Sequence, residues 1–82
     1  MRKKLAGTRW EQGIPLEYYI TEDGTDGKTR YGLFVTYGEE SCIVPRISIS
    51  REKVMDMLDG LMQKAVTPCG VKEVLGTMLS PL

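Results

Sequence analysis

The chain contains no histidine. That removes the commonest general base and the commonest transition-metal ligand of proteins. A Ser–His or Cys–His nucleophile pair is impossible without it. Only two cysteines are present, Cys42 and Cys69, and they lack metal-type spacing. With carboxylates as their only company they make a poor zinc set, and they imply no disulfide framework. No excess of either charge exists, since eleven acidic residues balance eleven basic ones. Strong nonspecific nucleic-acid binding needs a basic excess and is therefore disfavoured. No apolar run approaches the roughly 20 residues that cross a bilayer as a helix. The basic start Met1–Leu5 is followed by Gly7, Thr8, Arg9 and Glu11 where an export signal needs its apolar core, so none is expected. Phosphate-binding loops of the GxGxxG or GxxxxGK[ST] type are missing as well. No catalytic, cofactor-binding or metal-binding residue is assigned, and a non-enzymatic, cytoplasmic protein is expected.

What is present is a legible two-helix stretch over Ile47–Leu79. Ser50 is a good N-cap for the first helix, with Ile49 and Val54 placed as a hydrophobic staple and Glu52 at the positive end of the dipole. Val54, Leu58, Leu61 and Ala65 then recur at the spacing of one helical face, flanked by Met57, Met62 and Val66. Pro68 is expected to end this run and to open the second helix at its first position. Val71, Val74, Leu75, Met78 and Leu79 form the second apolar face. Gly60 and Gly76 fall inside the helices, either as tolerated surface glycines or to let the helices approach closely.

Strand signals precede the helices. Leu16–Thr21 alternates, with Leu16, Tyr18 and Ile20 opposite Glu17, Tyr19 and Thr21. Thr29–Tyr37 sets Tyr31, Leu33, Val35 and Tyr37 against Gly32, Phe34 and Thr36. Ser41–Ser48 sets Ile43 and Ile47 against Cys42, Val44 and Arg46, and Pro45 restricts it to an edge or a bulge. Glu22–Lys28, with Asp-Gly twice, and Gly38–Glu40 are the turns. The fold class is α+β: a three-stranded antiparallel meander, or four-stranded if residues 3–10 add an edge strand, then a helical hairpin packed on one face. Residues 1–13 form a basic arm or edge strand, and 14–82 one small domain. A domain this size buries only about 60% of its unfolded surface.

The segments Tyr18-Tyr19-Ile20-Thr21, Asp26-Gly27-Lys28, Tyr31-Gly32, Ile47-Ser48 through Arg51-Glu52-Lys53-Val54, and Val66-Thr67-Pro68 leading to Val74-Leu75 resemble a family of short uncharacterised proteins of clostridia and related Firmicutes. The resemblance spans about residues 16–79. It implies a bacterial, cytosolic origin and a shared fold, and it supplies no activity, ligand or catalytic residue, the family being a domain of unknown function. Cys69-Gly70 departs from the residues expected at the start of the second helix.

Five features carry functional readings. Glu22–Gly27 superficially looks like a calcium loop, but the alternate acidic positions and the closing Glu fail, so a solvated turn is preferred. Cys69 lies near a helix N-terminus, where a thiol can be activated, and a small buried residue is the preferred reading. The second helix as a DNA-reading helix would bring only Lys72 to the bases. Lys3, Lys4, Arg9 and Trp10 are candidate nucleic-acid contacts on the N-terminal arm, against an ordinary terminus. Finally, Tyr18, Tyr19, Tyr31, Phe34 and Tyr37 are too many aromatics for one small sheet face. Either they cover the second face of a monomer, or Tyr19, Tyr31, Phe34 and Tyr37 belong to an interface. The sequence thus favours a protein-interaction or regulatory accessory module whose partner is another protein or a second copy. A weak nucleic-acid-binding accessory protein using the arm is the alternative.

Overall fold

The computed structural model describes the backbone of residues 1–25 and 27–79, and the side chains of 1–24 and 27–76. Four strands, β1 (Arg2–Glu11), β2 (Ile14–Thr25), β3 (Lys28–Tyr37) and β4 (Glu40–Ser48), precede two helices, α1 (Arg51–Gln63) and α2 (Pro68–Leu79). The strands form one antiparallel sheet in the order β1-β2-β3-β4, and both helices pack on one face. This is the four-stranded form of the α+β meander. The basic arm is edge strand β1, because Gln12 and Gly13, both at positive φ (53° and 79°), close a two-residue hairpin turn onto β2.

Alternation divides the sheet into two chemistries. Leu16, Tyr18 and Ile20 of β2 and Leu33 and Val35 of β3 point at the helices and join Val54, Leu58, Leu61, Val71 and Leu75 in the core. These are the faces that the strand and helix periodicities predict. Met78 and Leu79, assigned to the same face of α2, have side chains outside the described residues.

Four local expectations are corrected. Asp23-Gly24 is not a turn: it continues β2, pairing with Arg30 and Thr29, and the chain reverses only between Thr25 and Lys28. Ile47 does not share a face with Ile43, because β4 is irregular. Between the pairs Leu33↔Val44 and Tyr31↔Ser48, β4 spends four residues where β3 spends two. Ile47 thereby packs on the core while Ile43 stays on the opposite face. Arg46 adopts φ +57°, uncommon for a residue with a side chain, and its guanidinium reaches Asp23 at 2.9 Å. The irregularity lies against Gly32, whose missing side chain makes room: a Cβ there would meet the Val44 carbonyl and lie 2.6 Å from Pro45 Cα.

α1 also stops earlier than Pro68. Its last turn closes at Ala65, which takes the left-handed conformation at φ +49°. The Ala65 N–H donates to the Met62 carbonyl (3.1 Å) and the Val66 N–H to that of Leu61 (3.0 Å), the two bonds of a Schellman cap. At the other end Ser50 caps as expected, accepting from the Lys53 N–H at 3.3 Å, but the staple is not closed, since Ile49 is 68% exposed. Nothing lies within 4 Å of a Cβ built at Gly76, so close helix approach does not explain that glycine.

The two layers are tied at the helix joint. The buried Tyr18 hydroxyl donates to the carbonyls of Val66 (2.8 Å) and Leu61 (3.3 Å). Arg9 of β1 donates to the Met62 carbonyl at 2.8 Å. No basic residue lies in the last turn of α1, so this guanidinium supplies the cation that a helix C-terminus favours.

Leu58→Ala and Leu61→Ala should each lose about 2–5 kcal/mol in urea melts, and exposed Asp59→Ala under about 0.5. An Asp59 change as damaging as the leucine changes would refute the assigned helix face. Burial pushes the Tyr18 phenol up to about 12, with Arg9 lowering it and Glu11 raising it. A raised acid contributes stability that is full below the unfolded value of about 10 and is lost as pH rises through the folded value. Tyr18→Phe should therefore cost about 1–2 kcal/mol at neutral pH. The gap between variant and parent should narrow from pH 10 to about 12; a constant gap across that window would contradict the assignment.

Candidate functional site

Among the described residues the helices leave one sheet face without a second layer. On it the registers align a row across all four strands: Leu5 pairs with Tyr19, Tyr19 with Phe34, and Phe34 with Ile43. Tyr19 and Phe34 lie tilted with ring centroids 5.7 Å apart, within the range of favourable aromatic pairs. The Lys3 ammonium lies 4.4 Å from the Phe34 centroid, a cation–π contact. Leu5 and Ile43 at the ends of the row are exposed. Trp10, paired with Pro15 farther along β1, is on the same side and is 70% exposed.

The flanks of the row differ. On one side lie Thr8, Glu17, Thr36 and Ser41, in register with one another. Glu17 accepts from the Tyr19 hydroxyl at 3.3 Å, and its charge and this bond, after burial, raise the Tyr19 pKa. On the other side lie Lys3, Thr21 and Gly32, where the Pro45–Arg46 irregularity folds over the sheet and the Arg46–Asp23 ion pair pins it. That cover explains why Thr21 is buried on a face with no helix.

The structure brings together some of the residues that the sequence nominates and separates others. Tyr19 and Phe34 are neighbours on the outer face. Tyr31 and Tyr37 are not there: they face the helices and pack on the core, and the Tyr37 hydroxyl donates to the Glu11 carbonyl at 3.0 Å. Their alternation with Leu33 and Val35 already carries that information. The nucleic-acid candidates are likewise split. Lys3 and Trp10 are on the outer face, whereas Lys4 and Arg9 pair with inward-facing Ile20 and Leu16. Leu5 and Ile43 were missed. Leu5 looked like part of a terminal arm, and Ile43 gains meaning only from its register opposite Phe34.

A second cluster lies where α2 meets β4. A cleft of about 360 Å³ is lined by Glu40, Ser41, Cys42, Pro68, Cys69 and Lys72. Cys69 is exposed, not the small buried residue expected, and its thiol donates to the Glu40 carboxylate at 3.4 Å. That bond first, then the Glu40 charge, burial and Cys42, raises its pKa above the ordinary thiol value. The thiol form is thus favoured, the reverse of an activated nucleophile. Among the described residues no cluster of three or more Cys, Asp or Glu could hold a metal ion.

A family model described as "Family of unknown function (DUF6514)" matches residues 3–81. The chain belongs to this family. No curated protein matches it, and no solved structure does. Membership in the family thus assigns no chemistry, and the site is read from its geometry. No helix of the described residues is long and apolar enough to cross a membrane.

In a Cys42→Ser background, the alkylation rate of Cys69 by iodoacetamide should follow a pH profile with its midpoint above that of a free thiol. Glu40→Gln should shift that midpoint down and speed the reaction at neutral pH. An unchanged profile would remove Glu40 as the cause.

Proposed function

We propose that the protein is a non-catalytic protein-binding module, a cytoplasmic accessory or regulatory domain, whose contact surface is the outer sheet face. The observation that carries this reading is the unlayered row Leu5–Tyr19–Phe34–Ile43, with exposed Trp10 beside it. Rigid aromatics ringed by polar residues are the composition of interface centres, where a few such side chains dominate affinity. The lack of histidine and the protonated state favoured for Cys69 argue against an enzyme. Single-stranded nucleic acid is the competing occupant, because bases also stack on sheet aromatics. Zero net charge and the separation of Lys4 and Arg9 from Lys3 and Trp10 weigh against it.

Immobilised protein should retain a partner from a lysate of its source cells, a copy of the chain included. Phe34→Glu should abolish retention, and Lys53→Glu on the exposed side of α1 should not. Retention indifferent to Phe34→Glu would overturn the reading. Anisotropy titration of a single-stranded oligonucleotide at about 150 mM salt, where specific nucleic-acid binders reach about 10⁻⁸ M or tighter, should show no sub-micromolar binding. Such binding, weakened by Phe34→Ala, would put nucleic acid on this face instead.

A further inference from the structure

We propose that the occupant of the outer face is a second copy of this chain, related by a two-fold axis that runs along the Leu5–Tyr19–Phe34–Ile43 row, perpendicular to the strands. This rests on reading that face as a protein surface and adds what covers it and in which orientation.

Size permits it. The molecule is a slab with Cα extents of 42 × 32 × 18 Å. A stable interface needs about 800 Å² per partner, which the broad face can supply. Two sheets stacked face to face lie about 10 Å apart with strands aligned to within about 30°. An axis along the row delivers that arrangement with antiparallel strands, and lays the apolar row of one copy over that of the other.

Charge selects this axis. A rotation about the row places each flank of one copy over the opposite flank of the other. Lys3 on β1 belongs to one flank and Glu17 on β2 to the other, so each Lys3 comes over Thr8 of the second copy, one strand away from that copy's Glu17. A two-fold axis along the strands instead lays like flank on like flank. It sets each Lys3 on β1 over the Arg46-bearing flank of β4 of the second copy, cation towards cation and away from Glu17, which costs affinity.

Shape and register agree with the same axis. The Pro45–Arg46 irregularity raises one flank at β3 and β4. The opposite flank at those strands carries the small side chains Thr36 and Ser41, which leave space for it. Trp10 pairs with Pro15, four residues from Tyr19 on one side (19 − 15 = 4). Met1, one residue beyond the Arg2↔Glu22 pair, is in line with Asp23, four residues from Tyr19 on the other (23 − 19 = 4). These are two of the most exposed large hydrophobic residues, at 70% and 66%. Rotation about the row sets each Trp10 against the other copy's Met1, a favourable sulfur–aromatic pairing.

Sedimentation equilibrium from about 1 µM to about 1 mM tests this. The wild-type chain should dimerise, and Phe34→Glu should be monomeric with Lys53→Glu unchanged. Lys3→Glu and Glu17→Lys are exposed or half-exposed changes that preserve the fold, which circular dichroism checks. Each should weaken dimerisation about tenfold or more. The double variant Lys3→Glu/Glu17→Lys should recover most of the wild-type affinity, because the rotated pair is merely reversed. A wild-type monomer throughout the range, a dimer indifferent to Phe34→Glu, or a double variant no better than the single ones would each overturn the proposal. A monomer whose retention of another protein still depends on Phe34 would spare the protein-surface reading and remove only the second copy. Loss of both dependences would remove the reading itself.

Discussion

The Tyr18 hydroxyl is the contact on which the layering depends. It rises from the middle of β2 and donates to two carbonyls, that of Leu61 in the last turn of α1 and that of Val66 in the joint itself. The joint is the hardest part of a helical hairpin to satisfy, since the last carbonyls of a helix lack intrahelical donors. Here three elements share the work. The Schellman bonds through Ala65 and Val66 close the turn, Tyr18 enters from beneath, and Arg9 reaches Met62 from the edge strand. Ala65 in the left-handed region opposes this by roughly 1–2 kcal/mol. The bonds around it and its packing on the core hold it there. Because Tyr18 also fills the core, removing its ring disturbs the core packing and the joint together, whereas removing its oxygen disturbs the joint alone.

The two helices cover one face of a four-stranded sheet, and the other face must be handled by the sheet itself. It does so in two ways. At one end the β4 irregularity folds Pro45 and Arg46 across Gly32 and buries Thr21. The Arg46–Asp23 pair is surface-exposed and contributes little energy, but it fixes where that cover lies. At the middle none of the described residues covers it, and aromatic and aliphatic side chains meet across strands at the spacing that stabilises sheets. A row that strengthens strand pairing is therefore also a row left facing solvent. Its extent across all four strands, rather than the exposure of any single side chain, distinguishes it from ordinary scattered surface apolar residues.

Much of this was legible in the residues. The alternation of Leu16–Thr21 and Thr29–Tyr37 is strict, so which side chains reach the core follows from period alone. Ser50 and the Val54–Leu58–Leu61 spacing did the same for α1. What could not be read was register and backbone exception. The second helix was expected to begin straight from the first at Pro68, since nothing in the sequence marks Ala65 as left-handed; that position ordinarily takes glycine. Arg46 at positive φ hides for the same reason, and with it the inward turn of Ile47. Asp23-Gly24 and Asp26-Gly27 were equivalent turn signals, and only the long pairing of β2 with β3 separates them. The candidate site suffered most, because it is a row assembled from four strands. Tyr19 and Phe34 were visible as aromatics, but their adjacency to Leu5 and Ile43 exists only once three hairpins are in register.

The same row contributes to folding and to the proposed association, so the two contributions must be separable in size. Cross-strand pairs contribute roughly 0.2–1 kcal/mol each relative to alanine pairs. The Tyr19–Phe34 contact, at 5.7 Å and tilted, falls in that class. The inner core, by contrast, loses several kcal/mol for a single truncated leucine. Substitutions on the outer face should then leave a folded sheet, because the helices and the Tyr18 joint act entirely on the other side. The converse does not hold. The alignment of the row depends on the hairpin registers, and those registers are fixed by Leu16, Tyr18, Ile20, Leu33 and Val35 facing inward, since a one-residue slip would turn every one of them outward. The surface is thus held in place by a core to whose stability it adds little.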